Sequence, residues 1–196
     1  RPAYHICALC AVTLWALAYV LTRLALRSFT PLSLGFLRYA VADLALVPVL
    51  AVKRARPPAP RDIPLFLLSG GLGFFLYMVA FNLGSVTVPA AQSSALVATS
   101  PILTALLARA VFHERLTLVQ WIAMAVAFCG MVNLTLPADG MRFSVGLLWI
   151  LLSVLSMSAY NLVQRKLTER YSALQSSAYS IAAGSLMLSV FAPGAA

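Results

Sequence analysis

Charge is scarce in this sequence, and acidic charge scarcest. Five Asp and Glu stand against fourteen Lys and Arg, and charged residues of both signs make up 10% of the chain, where a soluble domain carries about 25%. That shortage excludes a water-soluble globule, because 62% of the residues are hydrophobic and too little polar surface remains to cover them. Histidine is nearly missing. His5 and His113 lie far apart and join no nucleophile or carboxylate in a recognisable spacing, so an enzyme working inside the membrane is not expected. No catalytic residue, metal site or cofactor is assigned. The three cysteines, Cys7, Cys10 and Cys129, fall inside apolar runs, and an odd count in lipid argues against a disulfide framework. Cys7 and Cys10 have the spacing of a redox or metal-ligand pair, yet no second pair accompanies them and they read as small apolar filler. A glycine-rich phosphate loop is also missing, which argues against direct ATP hydrolysis.

What the chain does have is a succession of long apolar runs. About 20 apolar residues cross a bilayer as a helix, and helices satisfy their own backbone groups there. The runs at 4–24, 32–52, 63–83, 90–112, 118–136, 145–163 and 174–191 predict an all-α membrane protein, a polytopic bundle of about seven transmembrane helices. The first run leads into further spans and shows no small-residue cleavage site, so it does not read as a signal peptide. The chain opens on Arg1 without a Met, which suggests a fragment or a trimmed chain.

The net charge of +9 is not the footprint of a nucleic-acid binder, because the basic residues cluster between apolar runs and not along one polar face. They act as topology signals. With the N-terminus in the cytoplasm, ten basic residues stay inside: Arg1, Lys53, Arg54, Arg56, Arg61, Arg109, Arg115, Arg165, Lys166 and Arg170. Only Arg23, Arg27 and Arg142 fall outside, with Arg38 inside a span. The expected placement is a multi-pass protein of the plasma membrane, N-terminus cytoplasmic, with 139–142 and the chain end after 191 outside.

The chain also resembles itself. A shift of 142 residues lays Arg23 on Arg165, Phe29-Thr30-Pro31-Leu32 on Tyr171-Ser172-Ala173-Leu174, and Ala42 on Gly184. Span six then matches span one and span seven matches span two, so one repeat holds five spans. An odd number makes the second copy enter from the opposite side, the inverted topology of many secondary transporters. The expected organisation is a five-helix repeat over 1–136 and the first two helices of an inverted second repeat over 145–196, about three helices short of completion.

Particular stretches point to a family. Thr99-Ser100-Pro101-Ile102-Leu103-Thr104-Ala105-Leu106-Leu107, then His113-Glu114-Arg115-Leu116-Thr117-Leu118-Val119-Gln120-Trp121 and Gly130, resemble the end of an EamA-type repeat of the drug/metabolite transporter superfamily. Trp15, Tyr19 to Leu26, Phe29-Thr30-Pro31-Leu32 and Leu37-Arg38-Tyr39 are similar to its first two helices, and Leu148-Trp149 through Tyr160, Gln164-Arg165-Lys166-Leu167 and Tyr171-Ser172 to the start of its second copy. The resemblance implies ten helices in two inverted halves and movement of small metabolites, amino acids or drugs, often outward.

Candidate pathway residues follow from the cost of polarity in hydrocarbon. A charge at mid-bilayer costs at least about 2.5–3.5 kcal/mol, so Arg38 and Asp43, the ionisable groups furthest from a loop, are not expected to face lipid. Five positions apart, they sit about 140° apart around the helix and cannot simply pair. Two readings of Arg38 stand: it snorkels towards headgroups, or it lines a cavity as an anion clamp that favours carboxylate or phosphate and repels cations. Asp43 is either a neutral hydrogen-bonded acid or a charged one. Span four is the least lipid-like; Ser94, Ser100 and their small neighbours suit close helix packing, while Pro101 removes a backbone donor and disturbs the Val97 carbonyl, which would expose backbone polarity to a cavity. Trp15, Tyr19, Tyr39, Tyr77, Tyr160, Asn161 and Gln164 complete the set, with interface anchoring as the alternative for the aromatics. Spans one, two, three, four and six are expected to surround one central space lined by Trp15, Tyr19, Arg38, Tyr39, Ser94 and Tyr160.

The reading is a secondary transporter, an exporter of small metabolites, amino acids or drugs. A non-transporting membrane sensor or assembly subunit is the alternative, supported by the chain's length. The partners expected are the lipid bilayer and a small-molecule substrate, with pairing into a homodimer left open and nucleic acid excluded.

Overall fold

A computed structural model describes residues 2–135 and 144–190, and all regular structure among them is helical. Seven rods follow one another: α1 Pro2–Ala25, α2 Pro31–Val52, α3 Pro60–Thr87, α4 Ala90–Phe112, α5 Leu118–Thr135, α6 Val145–Thr168 and α7 Ala173–Leu188. Five of them, α1, α2, α3, α4 and α6, are long and apolar enough to cross a membrane, whereas the apolar part of α5 spans Leu118–Asn133 and α7 has 16 residues. The rods outrun the apolar runs in two places. α6 continues past residue 163 to Thr168, because the hydrogen-bond ladder does not stop where Gln164-Arg165-Lys166 makes the helix hydrophilic. α3 begins in a short 3₁₀ turn at Pro60–Asp62 and runs on to Thr87. The connector expected around 139–142 and the chain end after 191 lie outside the described residues.

Local chemistry sets where the rods begin. Thr30 caps α2 by accepting from the Ser33 amide, with Pro31 in the first turn, where its missing N–H costs nothing. Ser172 caps α7 in a reciprocal box with Gln175. The same exchange links Thr117 and Gln120 at the start of α5. α4 ends at His113, whose left-handed backbone (φ 56°) turns the chain.

The buried apolar cluster of Phe81, Val88, Leu96, Val97, Ile150 and Val154 joins α3, α4 and α6, and α7 packs closely on α3 beside it. Gly70 and Gly184 make that contact close: a methyl group on Gly70 would lie 2.6 Å from the Ala183 Cβ and 2.7 Å from the Gly184 nitrogen. Small residues replace hydrophobic burial as the means of helix association in lipid. Here Ser69, Ser153, Ser156, Ser158, Ser176 and Ser180 are buried between helices, and the Ser180 hydroxyl donates to Ser69 at 2.8 Å. Many large apolar side chains point outwards, as Leu44 does at 76% exposed, an arrangement suited to lipid and not to water.

Directions follow from the contacts. α3 and α6 are antiparallel, since Asp62 meets Arg170, the Leu72 carbonyl meets Ser156, and Gly84 meets Ile150. α1 is parallel to α3, because Tyr19 packs on Phe81 and Arg23 donates to the Val88 carbonyl. Hence α6 runs opposite to α1. α7 likewise runs opposite to α2: Gly35 near the start of α2 lies beside Leu188, while the Arg56 carbonyl just past the end of α2 accepts from Gln175 and Tyr179.

Two rods are interrupted. α3 passes through a π-helical turn at Gly71–Leu76, and Ser156 of α6 caps the Leu72 carbonyl there at 2.7 Å. α4 breaks at Ala98–Thr99 between Ala90–Val97 and Ser100–Phe112, with Pro101 in the first turn of the second half.

Candidate functional site

The C-terminal half of α1, Arg38 of α2, the stretch of α3 just past its π-helical turn and the break in α4 line two adjoining openings. The smaller is a recess of about 20 Å³ lined by Trp15, Ala18, Tyr19, Thr22, Arg38, Tyr77 and Phe81. The larger is a cleft of about 300 Å³ between α1 and α4, lined by Val12, Trp15, Ala16, Tyr19, Ser94, Val97, Ala98, Ser100 and Pro101. Trp15 and Tyr19 belong to both, so the two form one continuous surface.

Arg38 is the only charge on that surface. Its Nη1 donates to the Thr22 hydroxyl at 3.1 Å and lies 3.9 Å from the Met78 sulfur. The guanidinium thus reaches towards α1 and α3 and lines the recess, while the side chain as a whole stays exposed. The aromatic wall is fixed by its own packing: Tyr19 meets Phe81 edge-on at 5.6 Å, and Tyr77 stacks on Phe81 at 5.8 Å. The break in α4 gives the cleft its floor, because Pro101 cannot continue the ladder and the chain loosens at Ala98.

Seven of the expected pathway residues meet here: Trp15, Tyr19, Arg38, Tyr77, Ser94, Ser100 and Pro101. The others do not. Tyr160 is buried on α6 and lies flat over Gly73, edge-on to Phe74 at 5.3 Å. Gly73 leaves room for that ring, so α6 packs against α3 and takes no part in lining either opening. Tyr39 meets the same Phe74 ring at 5.3 Å. Asn161 donates to the Thr104 hydroxyl, and Gln164 bridges Ser69 and Ser177. These amides hold α6 to its neighbours. Asp43 is half-buried on α2 and makes no hydrogen bond or ion pair among the described residues.

Thr22 and Phe81 were not singled out by sequence. A threonine and a phenylalanine in apolar runs carry no signal until the residue opposite them is known.

A second polar cluster joins the helix ends at the Pro60 side. Asp62, 8% exposed at its side chain, accepts from Arg170 Nη1 at 2.8 Å and from the Tyr171 hydroxyl at 2.8 Å, and that hydroxyl accepts from the Ala59 amide. Beside it Glu114 pairs with Arg165 at 2.6 Å, and Arg165 and Lys166 lie over the Phe112 ring. Glu114 thus fixes the connector between α4 and α5. Among the described residues no three His, Cys, Asp or Glu side chains gather closely enough to hold a metal ion.

Helices this apolar, packed through serine and glycine with many of their large side chains turned out, define a polytopic membrane protein. Residues 3–136 match the model of the EamA-like transporter family, and the chain belongs to that family. It is 32% identical over 184 residues to an uncharacterized transporter, YdfC, of Bacillus subtilis, covering 93% of this chain and 60% of that protein. It is 30% identical over 177 residues to a probable terminal-alkyne amino-acid exporter of Streptantibioticus cattleyicolor, covering 90% of this chain and 60% of the exporter. An uncharacterized transporter of Archaeoglobus fulgidus is 26% identical over 183 residues, 93% of this chain and 64% of that protein. The chain therefore spans less than two thirds of the length of these relatives. No solved structure matches it.

Proposed function

We propose that this chain forms the larger part of a secondary transporter that exports small metabolites, amino acids or drugs across the plasma membrane by alternating access, with its N-terminus in the cytoplasm. One observation carries the reading: the first two helices recur, reversed, as the last two. Shifting by 142 residues carries Pro2–Ala25 onto 144–167, one residue from Val145–Thr168. The same shift carries Thr30, the N-cap of α2, onto Ser172, the N-cap of α7. Because α6 and α7 run opposite to α1 and α2, the two pairs have the relation that lets one half rock against the other around a fixed site.

In this reading residues 1–136 are the first five-helix repeat and 145–196 open the second, which further helices of the complete protein would finish. The α1–α4 cleft supplies part of the pathway, and Arg38 presents a fixed positive charge to what passes. The relative named as a probable amino-acid exporter supports including amino acids among the substrates to be tried. The test is flux: the full-length protein is reconstituted in vesicles and offered panels of amino acids, organic acids and drugs. Substrate-dependent flux above empty vesicles supports the reading, and none with well-folded protein would return the chain to a sensor or assembly role.

A further inference from the structure

We infer that the recess and cleft bind a monocarboxylate with an apolar tail and select against the same tail carrying an ammonium group. The binding surface rests on the transporter reading only for its place in a pathway; its preference is argued from its own chemistry.

The argument begins with charge. Arg38 presents its guanidinium in the recess with one nitrogen anchored on Thr22, and a guanidinium fork is matched to a planar carboxylate. Among the described residues no acid lines the recess or the cleft. Asp62 and Glu114 are held by Arg170 and Arg165, and Glu169 closes α6 beside the Asp62 cluster, at the far end of the bundle. Asp43 is turned about 140° away around α2, and Asp139 lies outside the described residues. An ammonium group next to a bound carboxylate would be repelled by Arg38, and the aromatic faces offer it only a cation–π attraction, with no carboxylate among the described residues to offset that repulsion.

Size makes the second selection. A recess of about 20 Å³ takes little more than one water-sized group, so it seats an oxygen of a flat carboxylate with less crowding at its rim than the bulkier tetrahedral head of a phosphate ester. The tail has somewhere to go, since Trp15 and Tyr19 carry the surface on into the 300 Å³ cleft with Val12, Val97 and Pro101. That volume is within the range of small-molecule sites.

Trp15 touches both parts, so its fluorescence reports occupancy of either. The experiment titrates the full-length protein in detergent with isocaproate, leucine, isoamylamine and isoamyl phosphate, which share one branched tail and differ in the head. Isocaproate is expected to change Trp15 emission, with Trp15→Phe abolishing the signal. Leucine should bind at least about tenfold more weakly, the factor set by one buried polar group left unsatisfied, and the amine and the phosphate ester should show no saturable signal. Arg38→Gln should abolish isocaproate binding and Arg38→Lys restore part of it. If Arg38→Gln does not fold, Thr22→Val keeps the charge, removes its anchor and should weaken isocaproate several-fold. Leucine binding as tightly as isocaproate, tight binding of the phosphate ester, or equal binding of all four heads overturns the inference; the last outcome would mark the cleft as an apolar surface for lipid tails. Flux without this binding preference defeats the inference alone, and the preference without flux defeats the transport reading alone.

Discussion

Arg170, at the end of α6, places Nη1 2.8 Å from the Asp62 carboxylate at the head of α3, and Asp62 is the more buried of the two by a wide margin, 8% against 59% at the side chain. The pair joins the first turn of α3 to the α6–α7 connector, and Tyr171 doubles the link by donating to the same carboxylate. Asp62→Ala would leave Tyr171 and Arg170 without their acceptor. Because Arg170 is largely exposed, the Coulomb part is screened and the loss is that of two hydrogen bonds to a charged group. A destabilisation of about 1–3 kcal/mol is expected, read as a lowered melting temperature in detergent. Tyr171→Phe, which keeps the ion pair and the ring contact with Phe66, should cost less. Equal melting of wild type and Asp62→Ala would show that the cluster contributes nothing to the fold.

Glycines on this bundle do not all serve one purpose. On Gly70 a methyl group runs into Gly184 backbone and the Ser180 carbonyl at 2.7 Å, whereas on Gly130 it meets nothing within 4 Å. Gly70→Ala should therefore force α3 and α7 apart and destabilise by about 1–3 kcal/mol. Gly130→Ala, in the exposed helix α5, should be neutral or stabilise by about 0.5–1 kcal/mol through helix propensity. Thermal unfolding of the two variants side by side checks both signs.

What could be read from sequence divides along the same line as these contacts. The rods were legible because lipid imposes a one-dimensional rule, a long apolar run, that each segment obeys by itself. The apolar run at 32–52, for example, is the helix Pro31–Val52. Arg38 stood out by its cost in hydrocarbon, but the hydroxyl that receives it, Thr22, lies on another helix. Tyr160 was assigned to the pathway on residue type and its place on span six, and what sets its packing is Gly73, 87 positions earlier, whose missing side chain admits the ring. Asp62 was not singled out at all, since its partners Arg170 and Tyr171 come from beyond the next three helices. Pairings between distant segments need a second coordinate that one sequence does not supply.

Orientation is open to chemical labelling. After replacement of Cys7, Cys10 and Cys129, single cysteines at Ser28, between α1 and α2, and at Pro58, between α2 and α3, should react from opposite faces. In the proposed orientation Lys53, Arg54, Arg56 and Arg61, around Pro58, would face the cytoplasm. An impermeant maleimide added to intact cells should modify position 28 and leave position 58 untouched until the cells are broken. The reverse pattern would invert every span and the direction of export with it.

Neighbouring serines on α4 offer the sharpest test of the cleft. Ser93 is buried at 1% exposed, while Ser94 lines the cleft and spends its hydroxyl within its own helix, on the Ala91 carbonyl at 2.9 Å. Replacing Ser94 by Trp thus strands no partner on another helix and projects the indole into free space opposite Trp15. Replacing Ser93 by Trp drives the same ring into packed helices, an overpacking that close-packed cores do not absorb. Ser94→Trp should accordingly melt close to wild type and transport at a small fraction of its rate, because the cleft of about 300 Å³ is largely filled by an indole. Ser93→Trp should lose folded protein instead, so the two defects separate a blocked path from a damaged bundle. Flux measured per folded molecule decides between them. Wild-type flux through Ser94→Trp would mean that substrate does not pass between α1 and α4, and the pathway would then have to be sought on another face of α3.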